Sequence, residues 1–428
     1  MMLLLRIVSV ICLVSAVTTF NFLPEYFRFF IFAPFVLFTL LIINAKTNLP
    51  LVIIYIYGVL FYLYQLPKFL FDFPIVYYDQ YADIYFYNKA LLINLVFLST
   101  IGLSINSFQK GFSFPNYSNW FQPNHFIVLL NVVIMILILM FGFSGKSITS
   151  GVSYGTNDFG AKSIFTEYFI IFLIFAYCHS KNSLMKWGVL FVSGLMVIIS
   201  VLYGSRISAL LIILTVFILH FPNHFSIKKI IILVFTGLLS MNLVGSIRQG
   251  GSPSNANLGS LLRIKTDGIM NTTQSDMFYG SVCFVGLVED DILTTERRVK
   301  SFIGFVCRLV LPSKLAFDEG SLASYGQKFT NWGGGAHPAT YFYVWFGWGG
   351  PILFGLLLTY LLNGLKNITN NKYIFFMGII LLTTFPRWYG YEPGIIFKMT
   401  WVGIVILIIQ ENLFFKVTSN DDKNKIDS

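Results

Sequence analysis

Charge is what this chain has least of. Asp, Glu, Lys and Arg make up only 11% of its 428 residues, against 56% hydrophobic ones. A soluble globule of that length would lack the charged surface to stay in water. Cysteine is scarce too, with 4 in the whole chain. Cys12 and Cys178 lie in or beside apolar segments, while Cys283 and Cys307 share one polar stretch, where an oxidising compartment would permit a disulfide. There is no basic run with interleaved aromatics, so nothing here suits single-stranded nucleic acid. Internal repeats, low-complexity tracts, an Asp-x-Asp metal motif and a nucleotide-binding domain are all missing as well. With a mean hydropathy of +0.73, the formal net charge of +10 reads as lysines at the cytoplasmic ends of membrane helices.

What fills the chain instead is long apolar runs. They fall near residues 3–23, 27–43, 49–66, 90–105, 126–143, 163–178, 187–203, 207–221, 230–247, 340–362, 373–385 and 395–415. Several are shorter than the ~20 residues a perpendicular span needs, and the count that fits best is about twelve. Arg6 precedes a long first core with no small-residue cleavage site, which reads as an uncleaved signal anchor. The expected architecture is an all-α polytopic membrane protein with one large extracytoplasmic loop that contains an amphipathic helix. Spans one to nine occupy 1–246, the loop 247–338, spans ten to twelve 339–415, and a polar cytoplasmic tail 416–428.

Orientation follows from the basic residues of the short loops. With both termini inside, Arg6, Lys46, Lys110, Lys181, Lys186, Lys228, Lys229, Lys366, Lys372, Lys416, Lys423 and Lys425 face the cytoplasm. Lys68, Lys89, Lys146, Lys162, Arg206 and Arg387 face the other side. The excess has the sign of the positive-inside rule and puts the large loop outside.

That loop has the length, charge and glycine content to build a water-facing site, and its acids and bases nearly balance. Its clearest pattern runs over residues 289–314. At 100° per residue, Val299, Phe302, Ile303, Val306, Leu309 and Val310 share one side, and Arg297, Arg298, Lys300 and Arg308 the other. Such a helix either lies on the membrane with a cationic face or packs on the protein's own core. "VCFVGLV" just before it is too short to span and suits a re-entrant segment. Glu289, Asp290 and Asp291 complement a helix dipole or, alternatively, hold a divalent metal.

Three arginines stand at separate outer helix ends: Arg206, Arg248 and Arg387. They either snorkel to lipid phosphate or converge on one anion, a job suited to the planar, permanently charged guanidinium. An earlier outer loop spaces Tyr77, Tyr81 and Tyr85 four apart among Asp72, Asp79 and Asp83. Aromatic faces beside carboxylates suit sugar rings, so Tyr81, Asp79 and Asp83 are candidate sugar contacts; an interfacial aromatic belt is the other reading. His337 follows "NWGGG" and precedes Pro338 at the loop's end, where an imidazole could take a proton near neutral pH.

Taken together, the layout resembles the bacterial O-antigen polymerases (oligosaccharide repeat-unit polymerases) and is similar to the related O-antigen ligases. "HPATYFYVWFGWGG" resembles the ligase signature of His, a small polar residue, nine residues and Gly-x-x-Gly, with Pro338 replacing the polar residue and eight residues before Gly347. Arg248 and Gly259 match an Arg-x10-Gly spacing of polymerase loops. The resemblance implies a bacterial inner-membrane glycosyltransferase that joins undecaprenyl-diphosphate-linked oligosaccharides on the outer face, without cofactor or metal. Arg206, Arg248 and Arg387 would meet the departing diphosphate, helped by Arg297, Arg298 and Arg308. His337 or an outer-loop acid would take the acceptor's proton. Its partners would be the lipid bilayer and, from the same pathway, a flippase and a chain-length regulator. A ligase acting on lipid A–core and a lipid-linked oligosaccharide flippase are the rival readings.

Overall fold

A computed structural model describes residues 2–45, 62–63, 65–73, 81, 83–105, 121–145, 159–161, 163–203, 205–220, 264–265, 268–269, 273–311, 322–326, 328–329, 335–364, 371–388 and 393–426. The expected spans at 49–66 and 230–247 lie almost wholly outside these residues, as do Arg248 and Asp79. The described chain is helical apart from two short antiparallel pairings, Phe143–Gly145 (β1) with Phe159–Ala161 (β2) and Ile264–Lys265 (β3) with Gly268–Ile269 (β4). Five described helical stretches are long and apolar enough to cross a bilayer, and several shorter apolar helices accompany them.

The helices before the polar stretch are α1 (Met2–Phe22), α2 (Ala33–Ala45), α3 (Leu66–Phe71), α4 (Ile84–Ser104), α5 (His125–Phe141), α6 (Ser163–Cys178), α7 (Ser183–Leu202) and α8 (Arg206–His220). A 3-10 turn over Pro24–Phe32 joins α1 to α2. Leu3, Ile11, Val14, Leu184 and Phe191 leave large apolar surfaces on α1 and α7 exposed, as helices facing lipid do. By contrast, α4 is buried almost along its whole length, with Asn88, Asn94 and Ser99 among its buried side chains. It packs against α1, α2 and the later part of the chain, and the bundle is arranged around it.

The later helices are α9 (Thr273–Glu289), α10 (Thr295–Val310), α11 (Leu322–Gly326), α12 (Pro338–Phe346), α13 (Gly349–Gly364), α14 (Lys372–Thr383), α15 (Phe385–Trp388) and α16 (Gly394–Ile426). The polar stretch is therefore not all water-facing: Met277 to Val285 of α9 is buried against α4 and α12. Residues 340–362, expected as one span, are two helices. Gly347 caps α12 at φ +60°, a backbone conformation that side chains with a Cβ rarely adopt. The chain reverses there, and Phe342 of α12 stacks on Phe354 of α13 with ring centroids 4.7 Å apart.

The direction of this hairpin can be read against α4. His337, just before α12, has its ring 5.3 Å from that of Phe97, past the middle of α4. Tyr343, near the end of α12, lies against Lys89, close to where α4 begins. The first limb thus climbs from mid-helix depth towards the start of α4. Next, α13 returns alongside α4: Phe354 stacks on Phe97, and Ser104 Oγ donates to Thr359 Oγ1 at 3.0 Å. An irregular backbone at such depth is tolerated only where protein covers it, and Ala336 and His337 are fully buried.

Polar contacts between elements collect at two ends. At one end Asn124 N–H donates to the carbonyl of His179 at 3.2 Å, Tyr177 meets His220, and Lys372 pairs with Glu411. Nearby, Asn131 and Gln410 exchange two amide hydrogen bonds of 3.1 and 3.0 Å between α5 and α16. Where α4 begins lie Lys68 and Lys89, and the start of α16 packs on α10.

Candidate functional site

The end where α4 begins carries the chemistry. Asp83 caps α4, its carboxylate accepting the Tyr85 N–H at 2.7 Å. The first turn so fixed presents Lys89, nearly buried, to Glu289 at the end of α9: Nζ to Oε1 is 2.6 Å. The Tyr85 hydroxyl donates to the other oxygen, Oε2, at 3.3 Å. Tyr343 brings its hydroxyl against Lys89 from α12, and Arg298 of α10 donates through Nε to the next carbonyl, that of Val344. Trp348, in the turn after α12, meets the Tyr343 ring edge-on at 5.2 Å. Four separate elements thus converge on one cation–carboxylate pair. Lys89 is nearly buried while Glu289 keeps part of its surface in solvent, so removing the carboxylate leaves the ammonium without its counter-charge and lowers stability.

A second pair stands beyond the end of α14. The four-residue α15 turns Arg387 so that its Nε meets Glu167 Oε1 of α6 at 2.8 Å. Both α6 and α15 pack against α8, whose first residue is Arg206. Trp388 anchors α15: it is fully buried and donates Nε1–H to the Leu381 carbonyl at 3.0 Å. Two of the three outer-end arginines therefore belong to elements that touch. Arg387 carries a carboxylate partner that the sequence did not suggest.

Several predicted residues do other work. His337 is expected as a base facing water but is fully buried as the N-cap of α12. Its Nδ1 accepts the Ala339 N–H at 3.2 Å, and its own N–H donates to Ser281 Oγ at 2.9 Å. Gly280 lets these segments touch, since a Cβ there would sit 2.1 Å from the Gly335 carbonyl oxygen. Because the cap uses the Nδ1 lone pair, the neutral ring carries its proton on Nε2 and has no nitrogen left to accept one. Tyr81 is buried with its ring against Gly286 and edge-on to Phe86, so it presents no open face to a sugar. The exposed Asp83 carboxylate is engaged in its cap.

The arginines of α10 also separate. Arg297 is exposed and donates to the Tyr325 hydroxyl at 2.6 Å, its guanidinium 4.9 Å from that ring's centre. Arg298 turns inward to α12, and Arg308 is half-buried. The expected apolar side divides as well. Phe302 and Leu309 join Ser301 and Phe305 in packing on α12 and α16, where Trp345 and Trp401 donate to Ser301 and to the Leu309 carbonyl. Val299, Ile303, Val306 and Val310 remain exposed. Asp290 and Asp291 are exposed beyond the end of α9, and no metal-binding cluster occurs among the described residues. Cys283 and Cys307 form no disulfide with each other; the first is buried in α9 and the second half-buried in α10.

No family model, no curated protein and no solved structure matches this chain. Its chemistry therefore rests on its own residues. Lys89 and Glu289 are the pair that sequence reasoning passed over. The available signal was a lysine set inside an otherwise apolar helix, which calls for a counter-charge.

Proposed function

We propose that this protein is a membrane-embedded glycosyltransferase of the O-antigen polymerase type, acting on polyprenyl-diphosphate-linked oligosaccharides at the bundle end where α4 begins. The observation that carries the reading is the packing of α15, with Arg387, against the helix that Arg206 opens. Two cations from separate helix ends at a membrane boundary suit an anionic group presented from the lipid phase. In this reading that end faces away from the cytoplasm, and the arginines stabilise charge on the departing diphosphate as an acceptor hydroxyl attacks the anomeric carbon. The acceptor's proton goes to a carboxylate of the same end, since His337 is committed to its cap. A donor that arrives lipid-linked needs neither a nucleotide site nor a cytoplasmic domain.

The test is genetic and chemical. Deleting the gene in a host that makes a lipopolysaccharide ladder should leave core bearing at most one repeat unit, and the intact gene should restore the ladder. Ligase loss would instead strand long chains on the carrier lipid, and flippase loss would trap single units in the cytoplasmic leaflet. In a host that makes a capsule, the readout is loss of high-molecular-weight polymer. A full-length ladder in the deletion strain would end the polymerase reading.

A further inference from the structure

The cluster around Lys89 and Glu289 has a composition that the arginine pair lacks. Glu289 keeps more than a quarter of its side-chain surface open, and only one of its oxygens is held by Lys89. The bond from Tyr85 to the second oxygen is long, at 3.3 Å, so that oxygen retains acceptor capacity. Two exposed aromatic rings belong to the cluster: Tyr85, on the Glu289 carboxylate, and Trp348, one ring further on against Tyr343. Tyr85 and Trp348 each remain 43% exposed, although both belong to well-packed elements. Trp348 is steadied by the Tyr343 ring and has Gly347 and Gly349 as neighbours, so no flanking side chain shields it.

An exposed phenol on a part-open carboxylate, with an exposed indole next to the tyrosine that meets Lys89, matches the chemistry of a pyranose. Such a sugar offers C–H faces for stacking and hydroxyls that donate to carboxylate oxygens. Lys89, bound to the other oxygen, holds the orientation of the Glu289 carboxylate. A lipid-facing aromatic belt would account for the rings, and pairing with Lys89 for one Glu289 oxygen, but neither uses the second oxygen.

We propose that Tyr85, Glu289 and Trp348 form a saccharide-binding subsite, separate from the Arg206–Arg387 region, which holds a sugar of the glycan acceptor. The assignment of that sugar to an acceptor rests on the glycosyltransferase reading; saccharide binding itself does not. Tyr343 and Lys89 act as positioning residues, fixing Trp348 and Glu289 respectively.

Binding can be measured without turnover. The probe is the repeat-unit oligosaccharide released by mild acid from the host's own surface polysaccharide, titrated against the full chain in nanodiscs by saturation-transfer NMR and calorimetry. Wild type should bind saturably. Trp348→Ala and Glu289→Gln should each weaken binding by about tenfold or more, while Tyr85→Phe, which removes one hydroxyl, should weaken it less. Trp348 lies on an exposed turn, so Trp348→Ala should melt as wild type does, whereas Glu289→Gln keeps an oxygen facing Lys89 but removes its counter-charge and should melt lower. Should Glu289→Gln misfold, Trp348→Ala and Tyr85→Phe decide. Absence of saturable binding by wild type, or unchanged affinity in folded Trp348→Ala, overturns the proposal. A deletion strain that keeps its ladder would end the polymerase reading while leaving this binding result standing.

Discussion

At the scale of single residues, the two deeply buried histidines make opposite use of their ring nitrogens. His337 accepts at Nδ1, so its cap can be kept while its acid–base chemistry is removed. His337→Asn, which supplies another good N-cap oxygen, should preserve activity and melting temperature. His337→Ala should lose about 1 kcal/mol of stability. Loss of polymer synthesis in a stable Asn variant would return the histidine to the chemistry. His179 instead donates from Nδ1 to the Gln122 carbonyl at 2.7 Å. Burial pushes its imidazole down from the ordinary value, an effect the Gln122 bond opposes. Below an unfolded-state value of about 6.5 the unfolded chain binds the proton more readily than the folded one. Stability from this group is therefore complete above that pH and falls as pH drops towards the lowered folded value. Thermal melts of detergent-solubilised protein at pH 7.5 and 5.5 should show the decline, and His179→Gln should flatten it.

The arginines admit an equally direct test. If Arg206 and Arg387 grip a diphosphate, lysine cannot replace either, because the paired donors of the guanidinium are lost. Lysine and alanine variants at each position should then both cut activity at matched protein levels. Full rescue by lysine at both would show that the residues merely snorkel. At Arg387 the lysine variant can still pair with Glu167, so any loss there reports on the fork geometry and not on the ion pair.

At the scale of elements, periodicity exposed much and concealed one thing. It located α1, α5, α6, α7, α8 and α14 to within a few residues, because apolar runs bounded by caps such as Asn124 and Asn371 are local features. By contrast, α4 begins before its expected start, where Asp83 caps it, and α16 runs on to Ile426 through the tail expected to follow residue 415. The break at Gly347 was hidden, since a hairpin of two short apolar helices has the same hydropathy as one long span. Gly347 needs a positive φ, so Gly347→Val should lower stability by about 1–3 kcal/mol, whereas Gly349→Ala, in helical backbone with open space around it, should be mild. Comparable melts for the two variants would count against the turn.

The division of α10 was similarly out of reach, because six apolar positions on one side cannot reveal which of them meet protein. The exposed row of Val299, Ile303, Val306 and Val310 suits burial in the membrane interface, with Lys300 and Arg297 kept in water. A cysteine at Val306, in a background without native cysteines, should be shielded from a water-soluble maleimide, while one at Lys300 should react. Rapid labelling of both would place that face in water.

At the scale of the molecule, Lys68 and Lys89 meet the ring of Tyr87 and the carboxylate of Glu289 near the start of α4, while Lys372 pairs with Glu411 on the far end of α14 from Arg387. The expected sidedness rests on the charge of each short loop taken separately. The Lys89–Glu289 cluster is not legible in that way, since its members lie 200 positions apart and meet only when α9 and α12 close on α4. Cysteine scanning settles orientation. A Ser275 substitution should be labelled by an impermeant reagent in intact, outer-permeabilised cells, and a Ser226 substitution only after the inner membrane is opened. Labelling of Ser226 from outside would reverse the topology.

The burial of α4 has a consequence for how the protein is made. Asn88, Asn94 and Ser99 are covered in the finished molecule, partly by helices that begin only at Thr273. At about 5–20 residues per second the ribosome needs on the order of ten seconds or more to reach them. During that interval a helix carrying amides and a lysine waits beside the translocation channel with half of its partners unsynthesised. Such a segment is poorly suited to release into lipid alone. It should stay associated with the insertion machinery, or with α1 and α2, until α9 and the α12–α13 hairpin arrive.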